Sequence, residues 1–174
     1  MDALSHVPRV RLIRRFRVVL TLFICGLLVS GLTAFPLRWE VERLASWLGV
    51  DRGADLAGLS GLRYWIGYVR EGLEHSYRSY PFLAYGTDWL AFAHLVIAVF
   101  FLGPLFRPTE HDWVLVSGII ACAGVIALAL ICGPLRGIPV YWRFIDCSFG
   151  IIGVIPLLYC LVLSRRLKKM SFTG

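Results

Sequence analysis

The chain has 174 residues, 58% of them hydrophobic, and a formal net charge of +7. With a mean hydropathy of +0.72, it carries more apolar surface than a water-soluble domain of this size can cover, so a bilayer has to act as its solvent. The basic excess does not point to nucleic acid. Binding a phosphate backbone takes cations that share one exposed face, and here they stand beside hydrophobic runs, where membrane orientation accounts for them.

Residues 1–17 are a basic segment with Arg9, Arg11, Arg14, Arg15 and Arg17. A spanning helix takes about 20 mostly apolar residues, and four stretches qualify: 18–35, ended by Pro36; 88–105, closed by Gly103 and Pro104; 113–133, stopped by Pro134; and 142–164. Each unpaired backbone group in hydrocarbon costs several kcal/mol, so these runs are helices and the fold class is all-α, a polytopic four-helix bundle. Residues 165–174 form a second basic segment with Arg165, Arg166, Lys168 and Lys169. Basic flanks stay in the cytoplasm, which places both termini there, as four crossings require.

Between Pro36 and Tyr85 six arginines are balanced by six acidic residues, so 36–87 lacks a basic excess and is read as a periplasmic loop. The first run also partly fits a cleaved signal peptide, with small residues from Gly31 to Ala34. Its apolar core is long for one, and its loss would leave three spans and unpair the two basic ends.

Within the loop, Leu37, Val41, Leu44 and Leu48 follow helical spacing, with Pro36 suited to the start and Gly49 to the end. After a break at 51–58, the positions Leu59, Leu62, Ile66, Val69, Leu73 and Tyr77 repeat at steps of three and four, predicting a second amphipathic helix. Together they form an extracytoplasmic cap, whose Trp39, Trp47, Tyr64, Trp65 and Tyr68 suit a half-wet boundary.

Charged groups inside a bilayer require a partner, a water-filled cavity or a task. Asp88 opens the second span, where it or Thr87 can cap the helix. Arg143 and Asp146 open the fourth span three residues apart, a spacing that permits a local ion pair. His94 is six residues beyond Asp88, about 9 Å deeper on a regular helix, as a neutral ring bonded to a neighbouring helix or as a proton carrier. Arg136 sits in the stiff turn 133–139, with two glycines and two prolines, and is suited to headgroup anchoring or to bidentate binding of a phosphate or carboxylate. Tyr85, Trp89, Tyr141 and Trp142 supply an aromatic belt. His6, His75 and His111 lie in polar or boundary segments, which argues against bis-histidine haem ligation. Small residues at Gly26 and Ser30, Ser117 and Ala121, Ala123 and Ala127, and Gly150 and Gly153 allow close helix approach. Pro156 is expected to kink the last span.

The five cysteines, Cys25, Cys122, Cys132, Cys147 and Cys160, lie in or beside apolar runs without CxxC spacing, as small membrane-compatible residues. A Cys132–Cys147 disulfide is geometrically conceivable. No nucleotide loop, zinc spacing or nucleophile motif occurs, so no cofactor or metal is expected.

The stretches Tyr80-Pro-Phe-Leu-Ala-Tyr-Gly-Thr-Asp-Trp, Gly133-Pro-Leu-Arg-Gly-Ile-Pro and Trp142-Arg-Phe-Ile-Asp-Cys-Ser-Phe-Gly resemble those of small uncharacterised bacterial inner-membrane proteins. The resemblance covers roughly the second half of the chain. It implies a bacterial inner membrane and attaches no activity.

The leading functional expectation is a non-catalytic accessory subunit, or a bundle binding membrane lipid or another membrane-protein subunit. The alternative is an enzyme acting on an amphiphilic lipid or quinone-like substrate at the outer interface. In it, Asp88 or Asp146 serves as acid and base, His94 as proton relay, and Arg136 with Arg143 as anionic-headgroup ligands. A proton-coupled small-molecule transporter using His94 and Asp88 comes third.

Overall fold

The structure is a computed structural model that describes residues 3–172, with side chains described from Arg9 to Met170. Residues 1–2 and 173–174, at the tips of the two basic segments, and the side chain of His6 lie outside this. Among the described residues there is no strand. The helices are α1 (Ala3–Ala34), α2 (Leu37–Trp47), α3 (Gly61–Ser79), α4 (Ala84–Phe100), α5 (Leu102–Phe106), α6 (Asp112–Leu135) and α7 (Val140–Phe172). Four stretches are long and apolar enough to cross a membrane: Arg9–Ala34, Pro81–Phe106, Asp112–Leu135 and Val140–Met170. Only 17% of the most apolar part of α6 is covered by the rest of the chain, and 39% of that of α7. The uncovered leucines, isoleucines and phenylalanines therefore meet lipid, and the chain is an all-α polytopic membrane protein.

The chain divides into two compact units, one made of 1–26 with 97–174 and the other of 27–96. In the first, α6 and α7 form a hairpin whose contacts run in opposite directions along the two helices. A Cβ added at Gly133 would meet the Arg143 stem at 2.5 Å, one at Gly150 would stand 2.5 Å from the Cys122 carbonyl oxygen, and one at Gly118 would meet Leu157 at 2.9 Å. Lipid tails are as apolar as leucine, so helices gain little from hiding apolar faces; close approach and dense packing hold them instead. Phe16 and Leu20 of α1 and Leu157 and Cys160 of α7 are fully buried. The Cys160 thiol donates to the Phe16 carbonyl at 3.7 Å, and Phe23 meets Phe101 edge-on at 4.9 Å.

The glycines that make these contacts are only partly those expected from small-residue spacing. Gly150 and Gly153 both face α6, the latter against the Cys122 sulfur. Ser117, Ala121, Ala123 and Ala127 are exposed, and Gly26 has open space around its Cα. Gly118, Gly133 and Gly31 take their place. All five cysteines are free thiols, Cys132 and Cys147 included. Helix α7 continues through Pro156.

In the second unit, a Cβ at Gly31 would stand 3.0 Å from both the Ala91 carbonyl oxygen and His94 Cβ, so the end of α1 lies directly on α4. Helices α2 and α3 enclose a small core of Val41, Ala45, Val50, Trp65 and Ile66. Gly49 takes φ of +64° and turns the chain out of α2, as its lack of a Cβ allows. Gly67 leaves room for Leu56 and Val50. The buried stripe of α3 includes Arg70, 6% exposed, which donates to the carbonyls of Val50 at 2.7 Å and Asp51 at 2.6 Å. Its guanidinium thus satisfies the backbone of the turn leaving α2, and Arg63 adds a bond to the Gly49 carbonyl at 2.8 Å. At the surface, Arg52 donates to Glu42 at 2.7 Å, a hydrogen bond that raises the arginine's pKa.

Two outcomes test these contacts. Gly150→Ala is expected to lower stability in detergent by about 2 kcal/mol, because the added methyl collides with backbone, whereas Gly124→Ala, which points into open space, should be neutral or slightly stabilising; melting curves of the two variants decide it. Arg70→Ala should loosen the α2–α3 turn by about 2 kcal/mol, seen as faster hydrogen exchange over residues 48–60, with Arg70→Lys intermediate.

Candidate functional site

The α6–α7 turn is built by the end of α6. The Gly137 amide donates to the Pro134 carbonyl at 3.1 Å and the Ile138 amide to the Gly133 carbonyl at 2.9 Å. With Gly137 at φ of +70°, this is the glycine-terminated helix cap that satisfies otherwise orphaned carbonyls. Arg136 is the residue just before that glycine, at a helix C-terminus where a cation is favoured.

Beside this turn lies a groove of about 340 Å³. Helix α6 contributes Val125, Leu128, Ala129, Cys132 and Gly133, a set at steps of three and four that forms one helix face. Helix α7 contributes Asp146 and Phe149, and the turn contributes Arg136 and Ile138. The walls are apolar, and the charged groups of the lining are Arg136 and Asp146. Val125, Leu128 and Phe149 are exposed at its side, so the groove is continuous with the lipid-facing surface.

Arg143 and Asp146 share a helix face but form no ion pair among the described residues. The reason is the glycine opposite: the Arg143 stem is laid across Gly133, against the α6 backbone. Its Nε is buried there without a hydrogen-bond partner among the described residues. A local pair is what the spacing alone allowed, and tertiary packing takes the arginine elsewhere.

Asp88 and His94, the remaining sequence candidates, belong to the other unit. Helix α4 starts at Ala84, so Thr87 and Asp88 lie inside the helix rather than at its cap. The Thr87 hydroxyl donates back to the Ala84 carbonyl at 2.7 Å and stands 3.5 Å from the Tyr77 hydroxyl. His94 Nδ1 lies 2.8 Å from the Leu90 carbonyl oxygen of its own helix. With Nδ1 as the donor there, the ring makes this hydrogen bond without a partner on another helix. Among the described residues no three His, Cys, Asp or Glu side chains converge as metal ligands would.

At the opposite end of the hairpin is a polar cluster that sequence inspection did not find. Asp112, in the first turn of α6, accepts from the Ser164 hydroxyl through one oxygen and pairs with Lys168 Nζ at 2.7 Å through the other. Ser164 is fully buried. Their separation of about fifty positions hid them; the available signal was an isolated acidic residue at a span end, with serine and lysine one turn apart at the end of the next span.

No family model matches the chain, and neither a curated protein nor a solved structure is similar to it.

Asp112→Ala should destabilise the protein by about 2 kcal/mol, since it removes the acceptor of a buried hydroxyl and one ion-pair partner of a partly buried ammonium. Ser164→Ala, which leaves the ion pair in place, should cost less; thermal unfolding of both variants in one detergent measures the order.

Proposed function

We propose that this chain is a non-catalytic, multi-pass inner-membrane protein that holds a phospholipid headgroup in the groove beside the α6–α7 turn. The observation that carries the reading is a cation, Arg136, fixed by a capped helix end at the mouth of an apolar groove that opens to the lipid-facing surface. A guanidinium matches phosphate geometry with two parallel hydrogen bonds, and the apolar walls suit the first methylenes of an acyl chain. The volume is near the lower end for small-molecule sites, which fits a headgroup rather than a whole lipid.

The basic segments at both chain ends support cytoplasmic termini. With that orientation, the α6–α7 turn meets the outer leaflet and the α2–α3 cap lies in the periplasm. The exposed Trp39, Trp47, Tyr64 and Tyr68 of the cap suit a headgroup layer.

Native mass spectrometry of the protein released from its own membranes is expected to show retained phospholipid, and Arg136→Ala should lose most of it while melting at the wild-type temperature. A wild-type protein free of lipid under conditions that preserve other lipid complexes would overturn the proposal.

A further inference from the structure

Two opposite charges line one groove without neutralising each other. Arg136 and Asp146 both face it, yet neither enters an ion pair within 4.0 Å among the described residues, and the nearest arginine along α7, Arg143, is drawn over Gly133. A carboxylate in an apolar-walled groove is costly unless something cationic meets it. A purely anionic headgroup would suit Arg136 and be repelled by Asp146. A headgroup that carries a phosphate and an ammonium satisfies both.

Resting on the headgroup reading above, we infer that the groove selects a zwitterionic phospholipid with a primary ammonium, an aminophospholipid of the phosphatidylethanolamine class. The phosphodiester pairs with Arg136, and the ammonium donates to Asp146. The acyl chain follows Val125, Leu128 and Phe149 outward to the bilayer. A quaternary choline fits less well: it has no N–H to donate, its methyl groups hold the charge away from the carboxylate, and the groove lining offers one aromatic ring, Phe149, where cages for such cations use several.

The test uses full-length protein, delipidated in mild detergent and titrated by native mass spectrometry with dihexanoyl lipids bearing ethanolamine, choline or glycerol headgroups. Wild type is expected to bind the ethanolamine lipid roughly tenfold more tightly than the glycerol lipid, the effect of one charge-assisted hydrogen bond. Asp146→Asn should abolish that preference, and Arg136→Gln should weaken all three lipids. Glycerophosphoethanolamine, the same headgroup without chains, should bind at least about tenfold more weakly, because it has no methylenes to bury. Equal binding of the chain-free compound would overturn the assignment to a lipid. Arg136-dependent binding of all three lipids alike, or a preference that survives in Asp146→Asn, would sink the ammonium selectivity while leaving the headgroup reading intact. No binding of any lipid would sink both. Asp146→Asn preserves side-chain shape, Arg136→Gln shortens a side chain that is exposed, and an unchanged melting temperature verifies the fold of both.

Discussion

Backbone-to-backbone approach of α6 and α7 is the constraint from which the rest of the first unit follows. In hydrocarbon two apolar helix faces gain little by hiding from their surroundings, so a hairpin is held by dispersion at short range and by whatever polar contacts its geometry brings within reach. Gly150 supplies that range by letting the Cys122 carbonyl approach where a methyl group would collide, and toward the two ends Gly118 leaves room for the Phe101 and Leu157 side chains and Gly133 for the Arg143 stem. Once the middle of the hairpin is fixed, the partners at both ends are fixed as well.

The two ends are finished differently. At one, Asp112 spends both carboxylate oxygens on Ser164 and Lys168, and the polar groups there are satisfied by the chain itself. At the other, Gly133 attracts the Arg143 stem, Asp146 is left without its helical neighbour, and Arg136 is presented by a closed cap. One end is a staple and the other keeps unspent hydrogen-bonding capacity beside an apolar wall. That contrast, rather than the presence of charge at a membrane boundary, is what singles out the groove as the candidate site.

The second unit shows the same accounting resolved internally. Arg70 is almost entirely covered, yet its donors meet two backbone carbonyls of the turn that follows α2, so a buried charge becomes the fastener of the cap. His94, the ionisable ring within a span, is bonded to its own helix, at the point where Gly31 brings α1 onto α4.

Read alone, the sequence determined the class of solvent, the helical character of the four apolar runs, and the two amphipathic helices between the first pair, because these depend on local length, periodicity and composition. Glycine at 49 and the glycine–proline turn near 136 were legible for the same reason: a left-handed backbone is a local demand. Which small residues face protein and which face lipid was not legible, since Ala123 and Gly150 look alike until the rotation of each helix about its axis is known. Spacing alone allowed Arg143 and Asp146 to pair; only the tertiary structure put Gly133 in the arginine's path. The Asp112 cluster and the buried Arg70 were decided the same way, because a polar group in a low-dielectric interior takes its partner from whatever folding brings within 3 Å or so, and that neighbour is rarely the nearest in sequence.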